Sequence, residues 1–220
     1  MVFDRVAIHK GLTEKLRLED VPIVCSMLGV DHENLSGDGK IGILREIVSW
    51  AERHAKQQEI SSLYQQLMEN KLEKQVDGVS YNVFVPIFLG NYRVLMFSLH
   101  DHESFEPVNA AIHVGETEKQ AASRAIFEET GLSVEARQVQ LFQPLPDYFE
   151  VAQHSNESTP KIKAKVFPAR YWRGDVNWDK EKYWSHGFIQ IDTALRVNSQ
   201  GTGGLELIKQ ASLSYQEQKG

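Results

Sequence analysis

The sequence predicts an α+β protein in which an all-α bundle precedes a domain built from strands around a central helix. Apolar residues recur at helical spacing up to about residue 70, and beyond residue 80 they alternate at the spacing of strands. The segment between these patterns, MENKLEKQVDG, is charged and ends in a glycine. We therefore predict a helical domain at 1–70, a linker at 71–79 and an α+β domain at 80–220.

The first domain repeats the apolar spacing of an amphipathic helix. The first set of apolar residues begins at Val21, just after Glu19 and Asp20. Pro22 lies in the first turn of this helix, where its missing N–H costs nothing. The lone Cys25 excludes an internal disulfide and is expected to be a buried thiol. The sets are Val21, Val24, Cys25 and Leu28, then Ile43, Ile47, Trp50 and Ala51, then Ile60, Leu63, Tyr64 and Leu67.

Between the first two sets, Gly37, Gly39 and Gly42 match the dinucleotide-binding pattern G-x-G-x-x-G. That pattern binds a pyrophosphate only where a strand leads into it, and here an amphipathic helix does. A phosphate-binding Walker loop also fails, because Ile41 follows Lys40 where serine or threonine is required. We predict that this loop binds no nucleotide.

The segment at 12–67 resembles the bacterial effector-associated, death-like helical domains. The residues that carry the resemblance are the motifs LGVDHENLSGDGK and REIVSWAER. The resemblance implies a module that contacts a protein partner through its helices and performs no chemistry. The alternative is a helical lid or dimerisation arm for the second domain.

In the second domain, the pattern predicts strands on both sides of a helix at 117–130. YNVFVPIFLGNYRVLMFSL predicts two strands joined by a two-residue hairpin at Gly90 and Asn91. KIKAKVF at 161–167 and GFIQIDTAL predict further strands, and LELIKQASLSYQEQ predicts a C-terminal helix.

The central helix places Glu128 and Glu129 in its last turn, before Gly131. Carboxylates are unfavourable there, because the helix carbonyls already carry partial negative charge. Arg124 is four residues before Glu128 and can neutralise one of the two acids. A magnesium ion would neutralise both, since it binds carboxylate oxygens. The alternative is a solvated acidic helix end.

The segment AAIHVGETEKQAASRAIFEETGL resembles the Nudix box, G-x5-E-x7-R-E-U-x-E-E-x-G-U, where U is aliphatic. Ala110 replaces the first glycine of that pattern, and Ala125 replaces the glutamate after the arginine. We call residues 110–132 the box. Its matching positions are Glu116, Arg124, Ile126, Glu128, Glu129, Gly131 and Leu132.

The resemblance implies a Nudix-like α/β/α sandwich with a mixed sheet, and hydrolysis of a nucleoside diphosphate linked to another moiety. It implies Glu116, Arg124, Glu128 and Glu129 as catalytic residues, with Mg²⁺ or Mn²⁺ bound by the box glutamates. Ala125 cannot bind a metal or activate water. Three hypotheses follow: a weak hydrolase, a nucleotide sensor coupled to a partner through the helical domain, or a scaffold that keeps the folds without binding or chemistry.

The segment RGDVNWDKEKYWSHGF contains further candidates. We predict Glu181 as an added metal ligand and Asp179 as a substrate-binding acid, ahead of Asp175. Trp178, Tyr183 and Trp184 are candidates to stack on a nucleobase. A solvated loop and ordinary core packing are the alternatives. His100 and His102, which follow a predicted strand, are expected to lie in a loop and not at a metal.

Composition narrows the possible partners. Asp plus Glu number 30 against 24 Lys plus Arg, and the net charge of −6 argues against a basic nucleic-acid-binding face. The N-terminal segment lacks the apolar core of a signal peptide, and no run approaches the length of a membrane span. We therefore expect a cytoplasmic protein with no membrane or nucleic-acid partner. A homodimer is a further possibility, because Nudix domains often pair.

Overall fold

The computed structural model describes residues 3–76, 78–99, 105–151, 161–197 and 204–217. The chain divides into two compact units: Met1–Asp77 with His113–Glu116, and Gly78–Ile112 with Thr117–Gly220. Within the described ranges, no helix has the length and apolar character needed to cross a membrane. His100 and His102 lie outside the described residues.

The order of elements agrees with the predicted α+β class. The helices are α1 (Arg5–Lys15), α2 (Val21–Leu28), α3 (Gly39–Arg53), α4 (Gln57–Met68), α5 (Glu118–Thr130), α6 (Ile191–Val197) and α7 (Gly204–Glu217). The strands are β1 (Gln75–Val76), β2 (Val79–Val85), β3 (Ile87–Leu89), β4 (Arg93–Leu99), β5 (Phe105–Glu106), β6 (Val108–Ala111), β7 (Val139–Leu141), β8 (Tyr148–Val151), β9 (Lys161–Val166), β10 (Ala169–Tyr171) and β11 (Tyr183–Gln190).

The first unit packs helices α1 to α4 around one apolar core, as the helical spacing predicts. Leu12, Val24, Leu44 and Ile60 from the four helices have no solvent exposure. Cys25 is free and buried, and burial raises the pKa of its thiol to about 11. The thiol is therefore un-ionised at neutral pH and serves as a small apolar side chain.

The glycine-rich loop before α3 serves packing. Helix α2 precedes it in the chain, as predicted, so no strand leads into the loop. A β-carbon on Gly37 would lie 2.2 Å from the carbonyl carbon of Gly42, so any side chain there would collide with the backbone. Lys40 points its Nζ to the carbonyl oxygens of Thr13 and Leu16, at 2.7 and 3.0 Å. The lysine thus binds the end of α1.

Residues 113–116, from the middle of the box, belong to the first unit. Val114 is 5% exposed within that unit's core, and its N–H donates to the Leu72 carbonyl oxygen at 2.7 Å. His113 forms an antiparallel bridge with Glu73. The helical unit is therefore discontinuous in sequence.

Gly115→Ala is expected to destabilise the first unit by about 2 kcal/mol. Gly115 has φ +86°, and an added β-carbon would lie 2.6 Å from the Lys15 carbonyl oxygen. Gly29→Ala is the matched control, because Gly29 has φ +70° with nothing within 4 Å. Urea unfolding of both variants should show the larger loss for Gly115→Ala. Equal losses would mean that the contact with Lys15 relaxes at no cost.

The second unit contains two mixed sheets. In the first, β2 pairs antiparallel with β6 and parallel with β9, and β9 pairs antiparallel with β8. The second has the order β11, β4, β3, β10 and β7, with β5 beside β4 and a parallel pairing between β3 and β10. Parallel and antiparallel neighbours in each sheet agree with the predicted mixed arrangement.

Alternating residues of the central strands face two different cores. Val83 and Phe97 pack in the core that contains α5, whereas Phe84 and Met96 pack in the core that contains Tyr215 of α7. This alternation confirms the predicted strand spacing and places helices on both sides. Three details of the prediction are wrong. Pro86 separates β2 from β3, and the β3–β4 turn has three residues, at 90–92, because Leu89 pairs with Arg93. The second half of GFIQIDTAL forms helix α6 and not a strand.

Candidate functional site

Helix α5 begins at a capping box and ends at the glycine that its sequence predicts. Thr117 Oγ1 accepts the N–H of Gln120 at 3.2 Å, and Gln120 Oε1 accepts the N–H of Thr117 at 2.8 Å. Gly131 follows the helix at φ +67°, and its N–H donates to the Phe127 carbonyl oxygen at 2.8 Å. The last turn therefore contains both glutamates of the box.

Arg124 joins Glu128 to strand β6. One guanidinium nitrogen lies 2.8 Å from Glu128 Oε2, and another donates to the Ala111 carbonyl oxygen at 2.7 Å. This confirms the predicted ion pair along the helix. Because the Glu128 side chain is 54% exposed, the pair contributes only about 0.3–0.5 kcal/mol. Its main effect is to hold Arg124 and Glu128 in place.

Glu129 receives its cation from a distant part of the chain. Lys182 Nζ, just before β11, lies 2.6 Å from Glu129 Oε1. The Glu129 side chain is only 14% exposed, so its charge interacts more strongly with neighbours than that of Glu128. The sequence reasoning missed Lys182, because nothing local signals a contact across 53 positions.

Tyr183 and Glu106 lie beside Glu129. The Tyr183 hydroxyl donates to Glu106 Oε1 at 3.3 Å, and Glu106 Oε2 accepts from Asn109 Nδ2 at 3.2 Å. Burial, together with the carboxylates of Glu129 and Glu106, raises the pKa of Tyr183 far above its ordinary value. The hydroxyl therefore stays protonated and lies between the carboxylates of Glu106 and Glu129.

The second carboxylate oxygen of Glu129 is buried. Glu129 Oε2 is inaccessible to solvent and accepts no hydrogen bond within the described part of the chain. A buried oxygen of an ionised carboxylate without a donor is unfavourable. The atom is thus available to a further cation or donor.

Ala125 is part of the core. It has no solvent exposure and packs in the same apolar cluster as Ala122 and Ile126. The spacing predicts Ala125 beside Glu128 and Glu129. In the structure, the apolar core covers Ala125, whereas Glu128 is exposed. A longer polar side chain at position 125 would enter the core.

Asp179 organises the turn that presents Lys182. Its Oδ1 accepts the backbone N–H groups of Glu181 and Lys182 at 2.7 and 3.3 Å, and its carbonyl oxygen accepts the N–H of Tyr183 at 3.0 Å. Asp175 and Glu181 are exposed. The turn therefore brings a cation to the box, and the predicted roles of Asp179 in substrate binding and Glu181 in metal binding stay predictions.

The two tryptophans of this segment have different surroundings. Trp178 packs against the core of the second unit, and its ring centroid is 5.1 Å from that of His186. Trp184 is 59% exposed. Both stay candidates for contact with a ligand.

Glu116 belongs to the first unit. Its Oε2 accepts the N–H of His113 at 3.1 Å, and its carbonyl oxygen accepts a hydrogen bond from Arg17 at 2.7 Å. Its predicted catalytic role stays a prediction. Among the residues that the structure describes, no three His, Cys, Asp or Glu side chains form a group that could hold a metal ion.

Similar proteins are found among solved structures. No protein-family model matches the chain, and no curated protein matches it. The chain is 21% identical to the E. coli dihydroneopterin triphosphate pyrophosphohydrolase, with a TM-score of 0.52 over 66% of this chain and 99% of that chain. At this identity the similarity shows the fold alone, and it confirms the predicted Nudix-like fold.

Two further structures match with lower TM-scores. A C. elegans Ap4A hydrolase in a binary complex is 16% identical, with a TM-score of 0.49 over 64% of this chain and 99% of that chain. A NUDIX hydrolase from Nitrosomonas europaea is also 16% identical, with a TM-score of 0.46 over 64% and 90%.

Proposed function

We propose that the second unit is a Nudix-type hydrolase that acts slowly on a compound containing a nucleoside diphosphate. The observation that carries this proposal is the buried, unpaired Oε2 of Glu129 at the end of α5. This oxygen lies in a box-like sequence on a Nudix-like fold. Hydrolysis of a diphosphate requires a cation beside the phosphates. Glu129 Oε2 accepts no hydrogen bond within the described residues and could bind such a cation.

Glu128 and Glu129 would hold a Mg²⁺ or Mn²⁺ ion. Both offer carboxylate oxygens, which are the ligands that these ions prefer, and Oε2 of Glu129 accepts no hydrogen bond within the described residues. When bound, the ion supplies charge neutralisation for the phosphates and a more acidic water. Glu181 is proposed as an additional acid near this pair.

The other residues bind and orient. Arg124 fixes Glu128 through the Ala111 carbonyl oxygen. Tyr183 stays protonated and donates to Glu106, and its hydroxyl also interacts with Glu129. The remaining proposed roles follow the box pattern: Glu116 in catalysis, and Asp179, Trp178 and Trp184 in contact with the substrate.

Slow turnover follows from position 125. A methyl group cannot accept a proton from water, and general-base assistance is worth roughly a hundred- to ten-thousand-fold in rate. Ala125 is also buried, so position 125 supplies no group in contact with water that could replace the missing general base.

The second candidate function is a nucleotide sensor without turnover. It is favoured by the two existing ion pairs, Arg124 with Glu128 and Lys182 with Glu129, which already balance the acids. In this case the helical unit would transmit the bound state to a protein partner or a second copy. Exposed apolar side chains that could form that contact are Val6, Leu18 and Ile41, at 76%, 59% and 53% exposure.

The test is a titration of Mg²⁺ and Mn²⁺ against the full chain, with thermal unfolding as the readout, in the presence and absence of ADP-ribose. The Glu128→Gln, Glu129→Gln double variant should lose the stabilisation by metal. A Glu14→Gln, Glu33→Gln double variant is the control, because both residues are exposed in the first unit. Product release from ADP-ribose, dinucleotides and nucleoside triphosphates is measured in parallel.

Metal stabilisation with product release supports the hydrolase. Stabilisation by metal and ADP-ribose without any release supports the sensor and contradicts the hydrolase. Absence of both effects in the unmodified protein would reject both functions at this helix end.

A further inference from the structure

A cavity lies in the α+β unit, away from the acid pair. It is formed by the first turn of α5, the segment after that helix, strand β7 and the end of β10, and its volume is about 630 Å³. That volume is within the range of small-molecule sites. Lys119 in its wall lies nine residues before Glu128, which corresponds to about 14 Å along the helix.

The polar side of this cavity is basic. Lys119, Arg137 and Arg173 line it, and no acidic residue does so among the described residues. None of the three side chains forms an ion pair within the part of the chain that the structure describes. Unpaired cations that share a cavity repel one another, and a bound anion removes that cost. The basic lining of this cavity contrasts with the net charge of the chain, which is −6.

The other side is apolar and aromatic. Val134, Val139 and Trp172 line it, and Trp172 is 52% exposed. The Arg170 guanidinium carbon lies 4.0 Å from the centroid of the Trp172 ring, which is a cation–π contact. An exposed indole beside cations can bind a flat aromatic ring while the cations bind its charged groups.

The cavity wall is held by backbone hydrogen bonds. The N–H groups of Trp172 and Arg173 both donate to the Gln138 carbonyl oxygen, at 2.9 and 3.3 Å. Gln138 Oε1 accepts the N–H of Ser133 at 2.9 Å. Arg137, next to Gln138, has φ +56°. Arg137, Trp172 and Arg173 are therefore held together by hydrogen bonds to one residue, Gln138, and its neighbours.

We infer that this cavity binds a nucleotide with two or more phosphates, without a metal ion and separately from Glu128 and Glu129. The phosphates would lie on Lys119, Arg137 and Arg173, and the base would lie against Trp172. Guanidinium groups suit this task, because they bind phosphate oxygens in pairs.

The experiment is isothermal titration of the full chain with ADP in EDTA, which removes any contribution of metal at the box. Arg137→Gln, Arg173→Gln should weaken ADP binding about tenfold or more. Arg93→Gln, Arg196→Gln is the matched control, because both are exposed cations of the same unit outside the cavity. Trp172→Ala should weaken ADP and leave inorganic pyrophosphate unchanged.

Glu129→Gln separates this site from the box, and ADP binding in EDTA should survive that change. Thermal unfolding checks that each variant is folded. Lys119→Gln, at an exposed position, removes a different positive charge from the cavity. The inference is overturned if ADP does not bind at about 1 mM. It is equally overturned if neither the double arginine variant nor Lys119→Gln weakens binding, or if Glu129→Gln abolishes it.

Discussion

Ala125→Glu is expected to destabilise the second unit by about 3–5 kcal/mol and not to accelerate hydrolysis. Ala125 has no solvent exposure and packs among apolar residues. A glutamate there would bury a carboxylate for which the structure shows no cation, since Arg124 and Lys182 already bind Glu128 and Glu129. Urea unfolding measures the loss, and product release from the preferred substrate measures the rate.

Two matched variants separate charge from size. Ala125→Met adds a chain of similar length without charge and should cost about 1–3 kcal/mol through overpacking. Ala125→Gln adds a neutral polar group. Burial raises the pKa of an introduced carboxyl, so the excess loss of Ala125→Glu over Ala125→Gln should be largest above pH 7 and shrink as the pH falls. Unchanged stability with faster turnover would show that the helix end opens to accept a third acid.

Lys182→Met is expected to increase the affinity for Mg²⁺ and Mn²⁺ by about tenfold, while lowering stability without metal by about 1 kcal/mol. Lys182 Nζ lies 2.6 Å from Glu129 Oε1 and occupies one oxygen of the proposed metal-binding carboxylate. Methionine keeps the length of the side chain and removes the competing charge. Calorimetric metal titration gives the affinity, and thermal unfolding gives the stability.

Lys180→Met is the control for this variant. Lys180 is exposed in the same segment, and neither metal affinity nor stability should change on its replacement. Weaker metal binding by Lys182→Met would contradict competition. It would mean that Lys182 helps to assemble the site.

The parts of the fold that local signals determine could be predicted. Helix α5 has a capping box at Thr117 and a glycine at Gly131, and both ends were predicted within a residue. Strand β9 alternates lysine with apolar residues, and the structure places it where predicted. The turn after β3 was predicted one residue too short, because Tyr92 continues the apolar pattern although it lies in the turn.

The site was less predictable, because it depends on contacts between distant segments. Arg124 and Glu128 are four residues apart, and helical geometry alone brings them together. Lys182 precedes β11, whose pairing with β4 places it beside Glu129, and no pattern in the segment before β11 indicates this contact. Position 125 lies between the apolar and polar sides of α5, so its burial depends on the packing of the whole unit.

The discontinuity of the helical unit affects how the chain can fold during synthesis. Val114 completes the core of that unit, and Arg17 binds the carbonyl oxygen of Glu116. N-terminal domains commonly fold as they leave the ribosome. Here the first 77 residues lack part of their own core until residue 116 has emerged, so the helical unit reaches its final packing only after much of the sheet-forming sequence has been translated.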